Sequence, residues 1–272
     1  MRRPVLVAVA LFLASCTAAV PAPTATTSVG SGSSNGPSDG PAVSPSPSAA
    51  ATAPPSPTAT PRTSFALGGV LGSAQGDFDC DGHPDLLEFF NAPRPGTYAS
   101  LNAGKLARLT LSAGGVLELP FDGMPFDDPG QTPLIGLADV NGDGCDDAIV
   151  TVGHGASTIW TSFLVVDGNE LRLVEEDGKQ AIFLFAGSVR HGNAIECRRT
   201  KDAPEIVTRA ASDYTSEFQW DTVEDVHRWS TKSRLVLWST SRSVIAVSVA
   251  YTMPTDHDRY WGLSCGNVKF GG

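Results

Sequence analysis

Asp77-Phe78-Asp79-Cys80-Asp81-Gly82-His83-Pro84-Asp85 and Asp139-Val140-Asn141-Gly142-Asp143-Gly144-Cys145-Asp146-Asp147 decide how this chain is read. Both fit D-x-[DN]-x-D-G-x-x-D, and they start 62 residues apart. Oxygen-bearing side chains at alternate positions, a Gly at the sixth and a carboxylate at the ninth are the pattern of a loop that wraps a calcium ion. Positions 1, 3, 5 and 9 supply side chains, and position 7 a backbone carbonyl. The expected ligands are therefore Asp77, Asp79, Asp81, Asp85 and the carbonyl of His83 in the first loop. In the second they are Asp139, Asn141, Asp143, Asp147 and the carbonyl of Cys145. His83 and Cys145 sit where backbone faces the ion, which argues against a soft-metal role for their side chains. One or two calcium ions are expected, held more tightly by the first loop, which has four carboxylates against three.

The flanks repeat as well. Asp85-Leu86-Leu87 and Asp147-Ala148-Ile149-Val150 each lead from the loop into an apolar run. A third copy of that flank is Pro204-Glu205-Ile206-Val207. Aligning Glu205 with Asp85 and Asp147 puts Cys197, Arg199 and Lys201 at the first, third and fifth loop positions, so this unit keeps the frame without the ligands. Starts at 77, 139 and 197 mark a period near 60. Between the loops the chain reads as strands: 157–167 and 170–174 around the hairpin signal Asp167-Gly168-Asn169, then 181–186, 205–210, 233–240 and 243–251. In the last, Ile245, Val247, Val249 and Tyr251 share one face at period two. No segment has a long helical period. An all-β fold of propeller-like repeats is expected, three to four blades in a short or incomplete ring.

Such a loop entering a strand and recurring at about 60 residues resembles the FG-GAP/VCBS repeat, also found in integrin α-subunit propellers and in exported bacterial proteins. The resemblance is strong at the two loops and weak elsewhere over 64–272. It implies blades whose turns are braced by calcium. Propellers of that family have about seven blades, and this chain has room for three or four. An incomplete ring, a compact variant and closure by oligomerisation stay open. An EF-hand is the sharpest competitor, because Glu88 stands at position 12 of the first loop. Gly68-Gly69-Val70-Leu71-Gly72 upstream is not helical, Pro84 occupies position 8, and Val150 stands at position 12 of the second loop.

Arg2-Arg3, the short apolar run from Val5 to Leu13, and Leu13-Ala14-Ser15-Cys16 resemble a bacterial lipoprotein signal. This implies a signal peptide over 1–15, cleavage before Cys16 and lipidation of its thiol. The expected place of the chain is the outer face of the cell membrane. Residues 16–63 carry the lipidated Cys and a Pro/Ser/Thr/Ala-rich segment with little to bury, which reads as a disordered tether. Residues 64–272 form the β repeat domain. There 16 Lys and Arg stand against 28 Asp and Glu, a formal charge of −12. An acidic domain without a basic run excludes nucleic acid as a natural partner.

Besides Cys16 there are Cys80, Cys145, Cys197 and Cys265, an even number that fits disulfides in an exported chain. Cys80 and Cys145 lie in equivalent loops of consecutive units, which favours Cys80–Cys145 and leaves Cys197–Cys265.

These features point to a non-enzymatic binding or scaffold module at the cell surface, with a wall glycan or another exported protein as partner. The five Trp (160, 220, 229, 238 and 261) are either sugar platforms or core packing. The alternatives are an exported hydrolase and a structural wall component whose open sheet edges join like units. No H-E-x-x-H or G-x-S-x-G occurs, and the runs Gly153-His154-Gly155-Ala156-Ser157 and Asp256-His257-Asp258 are the only suggestive ones.

Overall fold

A computed structural model describes residues 67–92, 104–122 and 131–271. The expected signal peptide, Cys16 and tether lie outside these residues. The described chain is all-β, with one 3-10 turn at His257–Tyr260.

Four strands form the first sheet in sequence order: β1 (Val70–Gly76), β2 (Asp85–Asn91), β3 (Gly104–Thr110) and β4 (Val116–Asp122). Every neighbour pair is antiparallel. The same meander follows in β5 (Leu134–Ala138), β6 (Asp147–His154), β7 (Thr158–Asp167) and β8 (Glu170–Leu173). The equivalence extends to register, since Gly76 pairs Asp85 across the first loop and Ala138 pairs Asp147 across the second. The 62-residue repeat is thus a repeat of four-stranded units.

After β8 the pattern changes. Two short strands, β9 (Glu175–Glu176) and β10 (Lys179–Gln180), precede β11 (Phe183–Ser188) and β12 (His191–Arg199). Then come three strands of 13 residues each: β13 (Pro204–Ser216), β14 (Gln219–Thr231) and β15 (Arg234–Ala246). β16 (Gly262–Cys265) and β17 (Val268–Phe270) end the fold. β11 pairs with the first half of β7, next to β8 on the second half, so this part continues the second sheet. The two sheets do not close on one another into a ring.

β6 and β7 are buried on both faces. Ala148, Val150, Leu164 and Val166 meet Phe78, Leu87, Phe89 and Leu109 of the first unit. Ile149, Phe163 and Val165 alternate with them and meet Phe183, Phe185, Ile195 and Ile206. Period-two alternation sends successive side chains into different cores, so the second unit is stacked between its neighbours. Each such Phe or Leu contributes ~1.5–3 kcal/mol by burial. A smaller core under the long strands is built on Trp220, fully buried, whose indole N–H donates to Thr252 O at 2.9 Å.

Three expectations are corrected. Cys197 to Arg199 is strand, not loop: Arg199 pairs with Pro204, leaving a turn at 200–203 that Thr200 holds by accepting from the N–H groups of Asp202 and Ala203. Without alternating carboxylates or a Gly there, nothing favours a wide loop. The runs 233–240 and 243–251 are one strand as far as Ala246, because β14 supplies a partner on both sides of Ser241-Arg242. Ile245, within β15, and Val247, just past it, pack on the Trp220 core, but Val249 and Tyr251 are exposed, and Tyr251 turns the backbone at φ 59°.

Candidate metal centre

Strands enter and leave both loops, β1 and β2 around the first, β5 and β6 around the second. The helices of an EF-hand are absent from these flanks, and Glu88 lies within β2 opposite Ser73 and Arg108.

The two loops share one set of backbone hydrogen bonds. In the first, Gly82 N–H donates to Asp77 Oδ2 at 3.0 Å and Asp81 N–H to Asp79 Oδ1 at 3.1 Å. His83 N–H donates to Asp81 Oδ1 at 2.8 Å and Phe78 N–H to Asp85 Oδ2 at 3.0 Å. In the second, Gly144 donates to Asp139 Oδ2 at 3.0 Å, Asp143 to Asn141 Oδ1 at 2.9 Å, Cys145 to Asp143 Oδ1 at 3.0 Å and Val140 to Asp147 Oδ2 at 2.9 Å. The backbone is left-handed at position 6 in both, as expected from Gly82 and Gly144, and also at position 4, where Gly142 and the non-glycine Cys80 (φ 61°) stand.

What surrounds the carboxylates differs. In the first loop, oxygens of Asp77, Asp79 and Asp85 lie within 4.8 Å of one another. Asp77 Oδ1 is buried and accepts no hydrogen bond. Asp85 is 1% exposed. Desolvation, opposed by the Asp81 N–H, and then the charges of Asp85, Asp81 and Asp77 raise the pKa of Asp79. Among the described residues no Lys or Arg pairs with these four carboxylates. An orphaned buried oxygen amid converging carboxylates suits a hard divalent cation, so the donor set fits calcium. Ser112, in the β3–β4 turn, covers the loop: its N–H donates to Asp85 Oδ1 and its hydroxyl to Asp81 Oδ2, both at 2.8 Å. The Ser112 hydroxyl and then the His83 N–H lower the pKa of Asp81. No local spacing marks Ser112; only the topology brings it there.

In the second loop two side-chain cations hold the acids. Arg199 Nη2 lies 2.6 Å from Asp139 Oδ2 and donates to Asp139 O at 2.9 Å. Lys232 Nζ lies 2.9 Å from Asp143 Oδ2. Burial works to raise the Asp143 carboxyl, but the Cys145 N–H and Lys232 outweigh it and its pKa is lowered. Asp147, 2% exposed, makes no ion pair among the described residues, and desolvation pushes it up to about 8 against the Val140 N–H.

At Glu205, which aligns in sequence with Asp85 and Asp147, the device is different. Glu205 is 2% exposed and takes Arg198 on one oxygen at 2.6 Å and Arg228 on the other at 2.8 Å. Two guanidinium groups fork onto one carboxylate.

Both disulfides are those expected. Cys80–Cys145 ties position 4 of the first loop to position 7 of the second, with Cα atoms 5.0 Å apart. Cys197–Cys265 joins β12 to β16 at a directly paired position. Both loop cysteines are thereby spent as metal ligands.

Of the Trp residues, Trp160, Trp229 and Trp261 pack partly buried beside Trp220 or the larger cores. Trp238 is 61% exposed, with Arg228 stacked 4.2 Å from its ring centre. His191 meets the hydroxyls of Ser188 at 2.8 Å and Tyr214 at 3.0 Å, and buried His227 pairs with Glu176 at 2.7 Å. Neither contact was visible in the local sequence. No protein-family model, no curated protein and no solved structure matches this chain.

Proposed function

We propose that this chain is a calcium-braced β-repeat module that works by binding, displayed on the outer face of the cell membrane from a lipidated Cys16. The observation that carries the proposal is the cluster of Asp77, Asp79 and Asp85 with the orphaned Asp77 Oδ1. Calcium held by Asp77, Asp79, Asp81, Asp85 and the His83 carbonyl would neutralise that cluster and fix the rim joining the first two units. Two stacked four-stranded meanders with equivalent loops support a propeller-like, FG-GAP/VCBS-type reading of 64–272. Two disulfides in the described domain support export. The partner is an exported protein or wall glycan that meets the braced rim.

Retention of the full-length chain on intact cell wall and on secreted protein tests this role. Retention in calcium, lost in EDTA and lost in D79N/D81N, is expected. Equal retention under all three conditions contradicts it.

An assembly role has one observation in its favour. β15 pairs with β14 on one side, but on the other only Arg234 and Leu235 are covered, by β9. Val236, Leu237, Trp238 and Val244 are exposed along that open edge. A register shift lies between its pairings with Val226 and His227, and Arg242 stands in its middle; both features blunt edges against pairing. A defined oligomer by size-exclusion chromatography, lost in W238K, would favour assembly over the binding role.

A further inference from the structure

The second loop keeps the calcium pattern in sequence and in backbone, yet its acids are already engaged. Asp139 offers both Oδ2 and its carbonyl to Arg199, which comes from the end of β12. Asp143 offers Oδ2 to Lys232, which comes from the β14–β15 turn. Asn141 turns its amide towards the Lys232 carbonyl, at 3.4 Å. Three of the four side chains that would ligate an ion are thus directed to elements of the third part of the chain.

We propose that Arg199 and Lys232 take the place of the ion in the second loop, so that the chain binds one calcium ion, in the first loop only. A divalent ion entering the second loop would face two fixed positive charges among three carboxylates. It would have to break two short ion pairs before gaining ligands. The first loop shows the contrast: the same backbone, four carboxylates, an unpartnered buried oxygen and no Lys or Arg paired with them among the described residues. The first loop is covered by the neutral Ser112 and the second by Lys232. Glu205, held by Arg198 and Arg228, continues the series with guanidinium groups alone. From the first unit to the third, side-chain cations thereby replace metal as the brace of the turn before the second strand.

The inference rests on calcium binding at the first loop, and titration calorimetry with calcium chloride on the full-length chain separates the two. One ion per chain is expected, none for D79N/D81N, two for R199Q/K232Q, and one when all four substitutions are combined. Arg199 and Lys232 are each about half exposed, so their loss leaves the core intact. R199K/K232R, which preserves both charges, is expected to stay at one ion. Two ions on the unaltered chain, or one ion on both the unaltered chain and R199Q/K232Q, overturns the replacement and leaves the first-loop reading standing. No ion on the unaltered chain but one on R199Q/K232Q removes the first-loop site and upholds the replacement.

Discussion

Asp146 and Asp77 lock the two loops together: the Asp146 N–H donates to Asp77 O at 2.8 Å, and the Asp77 N–H donates to Asp146 Oδ2 at 3.0 Å. The eighth position of one loop therefore orients the first ligand position of the other. Asp146→Ala removes the side-chain half of this contact and leaves a part-buried N–H unpaired. A loss of about 1–2 kcal/mol in urea unfolding is expected. Calcium affinity should fall with it, because Asp77 loses its anchor.

The Cys80–Cys145 bond constrains the same pair of loops across 65 residues. C80S/C145S is expected to cost up to ~4 kcal/mol by the chain-entropy estimate. Non-reducing peptide mapping of the parent should link Cys80 to Cys145 and Cys197 to Cys265. The stability loss should be read in calcium and in EDTA, and it should be larger in EDTA, where the ion no longer holds the rim.

Asp147 makes the metal-free fold sensitive to pH in an unusual direction. Its pKa rises from an ordinary value near 3.8 to about 8 on folding. The folded state therefore binds the extra proton between those values, and stability falls as pH climbs from about 4 to 8. In EDTA, urea midpoints should decline over this range, and Asp147→Asn should flatten the decline. An unchanged slope in that variant would assign the effect elsewhere.

The strands that leave the two loops and the hairpin around Asp167-Gly168-Asn169 are legible in the residues themselves, because Asp-Gly loops and that turn punctuate apolar runs of strand length. The shared hydrogen-bond frame of the two loops and the Cys80–Cys145 pairing follow from the same repeat. Beyond Leu173 local signals carry less: the runs 181–186 and 205–210 fall on β11 and β13, but strand lengths and joins do not show. Ser241-Arg242 reads as a break, yet β14 carries the strand through it. Cys197-Arg198-Arg199 aligns with a loop, yet pairing to Pro204 keeps Arg199 in a strand. Arg199 reaches Asp139 from 60 residues away, and the Lys232 carbonyl meets Asn141 from 91, so no spacing announces either cation. Contacts of that range depend on how the long β13–β15 ribbon folds back onto the second unit, which period-two patterning does not encode.

Display at the membrane makes a separate prediction. Cys16→Ser should shift the chain from the membrane fraction to the soluble exported fraction and abolish labelling by a palmitate analogue. A chain that stays with the membrane after this change would contradict lipid anchoring at Cys16.

Calcium-dependent thermal unfolding tests the central claim most directly. Ligand at 100-fold over its Kd stabilises by about 2.7 kcal/mol, and each kcal/mol moves Tm by about 2–4 °C for a domain of this size. The full-length chain should therefore melt ~5–10 °C higher in calcium than in EDTA. The shift should survive Asp143→Asn and vanish in D79N/D81N. A Tm indifferent to calcium and EDTA, or a shift that persists in D79N/D81N, would contradict a metal-braced first loop.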